Sequence, residues 1–160
     1  MKNKITLKTI LVNKINKSGK NVLVRKLKTK ELCDVTISFN KNIKYKLTKK
    51  ELNYVYRKIF DYKQCINCII NNLKKDLHSR RAVLPFDICN VKPNCLTHIQ
   101  FLVRNNALIS LVYSRSLDVK KNIYIDYDIV KRISNKICDE LNLKLKYIKF
   151  FVGSLHYYVK

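Results

Sequence analysis

Two periods of apolar and polar positions run along this chain, and the places where one gives way to the other mark its elements. Residues 5–12 are an apolar-rich start that reads as a strand. Ser18-Gly19 then signals a turn. Residues 22–24 and 32–39 read as further strands. In the latter, Val35, Ile37 and Phe39 alternate with polar neighbours, the period-two mark of one buried face. At Thr48-Lys49-Lys50-Glu51 the pattern changes. A Thr followed three residues later by Glu is a capping box, and Leu52, Val55, Tyr56 and Ile59 keep helical spacing after it. A second helix is predicted over about residues 62–76, with Ile66, Ile69, Ile70 and Leu73 as its buried stripe. Lys74 and Lys75 fall at its C-terminal end, where the helix dipole favours cations.

Beyond Ser79-Arg80-Arg81 comes a short apolar strand, residues 82–84, and then a loop over residues 85–95 with two prolines and two cysteines. Residues 99–104 and 107–113 read as the two strands of a hairpin closed by Asn105-Asn106, both residues that tolerate the left-handed backbone of a tight turn. A polar stretch, residues 114–122, leads to a helix predicted at roughly 127–141 on Ile129, Ile133, Ile137 and Leu141. Residues 146–152 form a last strand. Strands mixed with helices in 160 residues imply one α/β or α+β domain, without internal repeats or low-complexity tracts.

Composition adjusts this picture. At 47% hydrophobic residues the chain is a folded protein, and no run of apolar residues is long enough for a membrane helix. No secretory leader is evident, so a cytoplasmic protein (host cytoplasm, for a virus-encoded chain) with reduced thiols is expected. Lys+Arg total 34 against 11 Asp+Glu, a formal net charge of +23. Such a balance suits an anionic partner, nucleic acid included. Most of it is Lys in a chain also rich in Asn and Ile, a pattern that AT-rich coding produces. The few Arg are more informative, because a guanidinium offers a rigid bidentate fork to phosphate. Cys65-x-x-Cys68 falls inside a helical pattern, with no second pair to complete four ligands, and no metal site is expected.

Several polar residues stand out against this scaffold: Arg80 and Arg81 past a helix end, Cys95 before a strand, Gln100 inside an apolar strand, Arg115-Ser116-x-Asp118, Asp126, and His156-x-Tyr158. Cys95 to Gln100 is 5 residues, Gln100 to Arg115 is 15, Arg115 to Asp126 is 11 and Arg115 to His156 is 41. In residue type and interval this set resembles the thymidylate synthase family, which includes the dCMP hydroxymethylases. The resemblance covers residues 64–158, and its stretch from Cys95 to Tyr158 matches without a gap.

The resemblance implies a thymidylate synthase-like mixed β-sheet with flanking helices, dimerising through its sheet face. It treats the chain as a single domain, 1–160, with a shortened N-terminal part (1–63) and a nucleotide-binding and catalytic core (64–158). It further implies folate-dependent one-carbon transfer to C5 of a pyrimidine nucleoside monophosphate (dCMP, CMP or dUMP), with 5,10-methylenetetrahydrofolate as the donor. Cys95 would attack C6 as a thiolate, which neighbouring cations favour. Arg115 and Ser116 would bind the phosphate, joined across the dimer by Arg80 and Arg81. Gln100 would order the base pocket, His156 and Tyr158 would hold the sugar, and Asp118 would lie on the folate side. Glu51, in a segment loosely like the family's glutamate-bearing helix, would order a proton-carrying water.

The departures are as informative. Asp126 stands where uracil-specific members carry Asn, and resembles the dCMP hydroxymethylases; a carboxyl group complements the donor face of cytosine. Asp126 also reads as the cap of the helix that follows it. Leu96 replaces the His that usually follows the nucleophile. Lys120-Lys121-Asn122 replace an apolar, glycine-containing stretch. The chain has no Trp, and it ends two residues after Tyr158. Two alternative functions follow. One is a nucleotide-binding member that has lost catalysis; the other is a basic nucleic-acid-binding protein.

Overall fold

The computed structural model describes residues 6–39, 43–86 and 94–159. Its elements, in chain order, are α1 (Leu7–Ser18), β1 (Lys20–Val24), β2 (Leu27–Phe39), α2 (Lys49–Asp61), α3 (Lys63–Lys75), β3 (Val83–Pro85), β4 (Leu96–Arg104), β5 (Ala107–Asp118), α4 (Ile123–Leu141) and β6 (Lys144–Tyr158). The expected mixture of helices and strands is realised as an α+β arrangement. Six strands form one mixed sheet in the order β1-β2-β6-β5-β4-β3. All pairs are antiparallel except β5 with β6, whose parallel pairing is bridged by the crossover helix α4. β6 and β5 are central and β2 lies beside β6, so the N-terminal third and the C-terminal end share one sheet.

The first element corrects the sequence expectation: residues 5–12 are not a strand. Thr6 accepts a hydrogen bond from the Thr9 N–H at 3.2 Å and starts a helix. Leu11 and Ile15, four residues apart, then bury one face of α1. The segment's polar residues fit a helix with one buried stripe as well as they fit a strand, and tertiary packing decides. α1 ends against β2 at Gly19, where a Cβ would meet the Ile15 carbonyl oxygen at 2.5 Å and that of Glu31 at 2.8 Å. The two hairpin turns use residues other than glycine in the left-handed region, Arg25-Lys26 (φ 49° and 65°) and Asn105-Asn106 (φ 53° and 55°).

Thr48 and Glu51 form the expected capping box, and α3 buries the expected Ile66, Ile69, Ile70 and Leu73. Of the α2 stripe, Val55 is buried, whereas Tyr56 is exposed. α4 begins at Ile123, four residues earlier than expected, with Asn122 as its first flanking residue. Asp126 therefore lies within the first turn and does not cap the helix. The helices α1, α3 and α4 pack on the sheet, with α2 against α3 and α4. The core centres on Phe39, stacked on Tyr127 (ring centroids 4.4 Å apart) and tilted against Phe150 (5.1 Å).

β5 and β6 outrun their apolar alternation. β5 continues to Asp118 and β6 to Tyr158, so Arg115-Ser116-x-Asp118 and His156-x-Tyr158 lie inside strands, not after them. The extra length is a polar ladder, with Ser116 beside Ser154 and Asp118 beside His156. Backbone pairing holds it together, which hydropathy does not register. The same sheet face thus runs from the helix-covered core into an uncovered polar end. On the other face, His98, Tyr113 and Phe151 stack in a row (centroids 4.4 and 5.1 Å apart), half-buried beside Leu102 and Leu111. No helix among the described residues is long and apolar enough to cross a membrane. The five described cysteines are free, and Cys89 with the rest of the loop at 87–93 lies outside the described residues.

Candidate active site

The uncovered end of the sheet is a cleft of about 480 Å³. Cys95, Arg115, Ser116, Asp118, His156 and Tyr158 all line it. Six of the residues singled out in the sequence therefore meet in one place, drawn from the start of β4 and the polar ends of β5 and β6. The Cys95 carbonyl accepts the Arg115 N–H at 2.9 Å, and the Ser116 hydroxyl donates to Cys95 Sγ at 3.2 Å. Arg115 Nε donates to the Asn94 carbonyl at 3.1 Å. Thiol, hydroxyl and guanidinium are thus fixed against one another by neighbouring strands. Close approach of β6 to β5 needs Gly153 here, because a Cβ at this position would stand 2.9 Å from the Arg115 carbonyl oxygen.

Asp118 is nearly buried and turns the chain into α4. Its Oδ1 accepts the N–H groups of Lys120 (2.9 Å) and Lys121 (3.2 Å). The Lys120 ammonium sits 3.8 Å from the centre of the Tyr157 ring, and that of Lys121 sits 5.4 Å from the Tyr158 ring, at the cleft. The His156 and Tyr158 rings meet edge to face at 5.5 Å.

On its other side Cys95 borders a tight recess of about 50 Å³, closed by Tyr54 and Lys58 of α2, Phe86, Leu96 and, from α4, Asp126 and Ile129. Asp126 keeps some contact with this recess, yet the protein packed around it raises its carboxyl from 3.8 to about 7. Near neutral pH a large fraction of this side chain is the uncharged acid, able to donate as well as accept. Burial also raises the Tyr54 hydroxyl, aided by the negative charge of Asp126 and of a Cys95 thiolate.

Three groups of expected site residues lie elsewhere in the chain. Glu51 does not line the cleft or the recess. Its Oε2 accepts the Thr48 N–H at 2.7 Å and the Thr48 hydroxyl at 2.8 Å, and the first of these holds its carboxyl below the usual range. Gln100 lies five residues along β4, opposite Val83 and Leu111, and its amide donates to the Arg80 carbonyl at 2.9 Å. Arg80 and Arg81 line an open depression with Asn72, Asp76, His78 and Ser79. They are exposed, away from Cys95 of the same chain.

The cleft also holds residues the sequence did not single out, Arg25 from the β1–β2 turn, Thr29 and Glu31 from β2 and Ser154 from β6, together with Lys121 and Asn122 of the stretch noted as a departure. Only strand register brings β2 to this cleft, so no local signal marks Thr29 or Glu31. Tyr54 and Lys58 were within reach, since they repeat Glu51 at helical spacings of three and seven. No family model matches the chain, and no curated protein matches it.

Proposed function

We propose that this protein binds a pyrimidine nucleoside monophosphate in the Cys95 cleft and transfers a one-carbon unit to C5 of its base. Cytosine is the preferred base, and a hydroxymethyl group the favoured product. One observation carries the reading. Residues selected from the sequence by type and interval, Cys95, Arg115, Ser116, Asp118, His156 and Tyr158, line a single cavity, with Asp126 across the thiol from them.

The chemistry follows from the groups. Arg115 and Ser116 take the phosphate, and His156 with Tyr158 the sugar. The base enters toward Asp126. As the neutral acid, Asp126 donates its O–H to cytosine N3 and accepts from the exocyclic amine through its carbonyl oxygen. The preference over uracil, which the same acid would meet with its two oxygens exchanged, rests on the resemblance of Asp126 to the dCMP hydroxymethylases. The Cys95 thiolate bonds to C6 and makes C5 nucleophilic. C5 takes the carbon and gives up its proton, and the bond from that carbon to the folate nitrogen breaks. Water adds to the exposed methylene to give the hydroxymethyl group, and Cys95 leaves as the C5–C6 double bond reforms. A folate donor supplies a carbon at the oxidation level of formaldehyde. Asp118, Asn122 and Lys121, a carboxylate, an amide and an ammonium at one end of the cleft, are the groups that would hold its polar ring and acidic tail.

The assembly belongs to the same proposal. A second copy on the half-buried sheet face, over the His98–Tyr113–Phe151 row, would cover that apolar surface and bring its Arg80 and Arg81 toward the phosphate. A second reading, binding without turnover, is favoured by Glu51, whose carboxylate is engaged in the helix cap. Release of tritium from [5-³H]dCMP, [5-³H]CMP and [5-³H]dUMP, with and without methylenetetrahydrofolate, separates the two. Cysteine-dependent release, abolished in Cys95→Ser, is expected from a cytosine nucleotide. Binding without release from any of the three would leave the non-catalytic reading.

A further inference from the structure

Across the floor of the cleft, three adjacent strands set Glu31, His156 and Asp118 side by side. Glu31 of β2 pairs with His156 of β6, and His156 pairs with Asp118 of β5. Thr29 faces Tyr158 one step along. Residues directly opposite on antiparallel strands point to the same face, with their Cβ atoms about 5 Å apart. Glu31 therefore stands within one ligand hydroxyl of the His156 and Tyr158 pair. Its Oε1 accepts a hydrogen bond from the Ser154 hydroxyl. Among the described residues its Oε2 has no hydrogen-bond partner, and its carboxylate forms no ion pair. In a chain with 34 Lys+Arg against 11 Asp+Glu, a half-buried carboxylate without a cation is conspicuous.

Two features narrow what it is for. A carboxylate repels phosphate, so the anionic end of a nucleotide lies toward Arg115 and Ser116 and the sugar toward Glu31. A carboxylate oxygen with spare lone pairs accepts hydroxyl protons, and one beside a sugar-holding pair can accept the hydroxyl adjacent to the one they hold. We propose that Glu31 accepts the 2′-hydroxyl of a ribose whose 3′-hydroxyl is held by His156 and Tyr158, which makes the cleft a site for a pyrimidine ribonucleotide. This rests on the nucleotide reading above and assigns its sugar. A deoxyribose would leave Glu31 covered by the ligand without a donor, the situation in which binding sites discriminate most strongly.

The test is equilibrium binding of CMP, dCMP and arabino-CMP to the full chain and to Glu31→Gln and Glu31→Ala. The wild-type protein is expected to favour CMP over dCMP by roughly tenfold or more, the size of one hydrogen bond to a charged group. Arabino-CMP, whose 2′-hydroxyl points to the opposite face of the sugar, should bind like dCMP. Glu31→Ala should bring the CMP to dCMP ratio near one by weakening CMP alone, with Glu31→Gln in between. Equal binding of CMP and dCMP by the wild-type chain, or an unchanged ratio in either variant, overturns the assignment of the sugar and leaves the nucleotide reading standing. Binding of none of the three overturns both. The wild-type ratio decides even if a variant does not fold.

Discussion

Asp126 gives the most exacting test, because its effect can be worked out before any substrate is known. The carboxyl is raised from 3.8 to about 7 by burial alone. Below about pH 4 it is protonated in both the folded and the unfolded chain and contributes nothing. Between about 4 and 7 the folded chain keeps a proton that the unfolded chain gives up, so stability falls as pH rises. Above 7 both states are ionised, and the full penalty of the buried charge is present. A rise of about three pH units at about 1.36 kcal/mol each sets a ceiling near 4 kcal/mol. Water reaching the carboxyl through the recess screens the charge, and about 2 kcal/mol is the working figure.

Asp126→Asn keeps the shape and removes the ionisation. Relative to the wild type it should be nearly neutral at pH 4.5 and more stable by about 2 kcal/mol at pH 8, or about 4–8 °C in Tm for a domain of this size. Urea denaturation across this pH range measures the difference directly. A difference that stays flat from pH 4.5 to 8 would show a solvated carboxylate, and the argument for an uncharged base-reading acid would fall with it. Uracil-specific members of the resembling family carry Asn at this place, so the same variant should gain dUMP at the expense of dCMP in the binding assay.

Three further predictions concern the scaffold of the site. Ser116→Ala removes the hydroxyl donated to Cys95 Sγ; alkylation of Cys95 by iodoacetamide at pH 7, followed on its own peptide by mass spectrometry, should slow several-fold, and an unchanged rate would mean that the contact does not favour the thiolate. Gly153→Ala drives a methyl group against the Arg115 carbonyl; a cost of about 1–3 kcal/mol with weakened nucleotide phosphate binding is expected, and full stability would show that β5 and β6 have room to separate. Thr48→Ala breaks the capping box and should cost about 1 kcal/mol, read from the urea midpoint, with no effect on Cys95 reactivity.

Local patterns carried much of this protein. Helical stripes such as Ile66, Ile69, Ile70 and Leu73, the Thr48–Glu51 box, and the Asn105-Asn106 turn depend on neighbours in the chain, so they are legible without tertiary information. The intervals from Cys95 to His156 were equally legible, because they count residues and not contacts. What the sequence left open were features that depend on partners far along the chain. α1 is a helix because Leu11 and Ile15 find the sheet, although their surroundings suit a strand as well. β5 and β6 extend through Ser116, Asp118, Ser154 and His156 because backbone pairing holds polar strands as firmly as apolar ones. Glu31 reaches the cleft only through its register opposite His156, and Glu51, with a catalytic role to suggest, is bound to its own helix end. Residue types and spacings picked out the candidate residues; long-range pairing, whose free energy comes from burying surfaces distant in sequence, decided which of them meet.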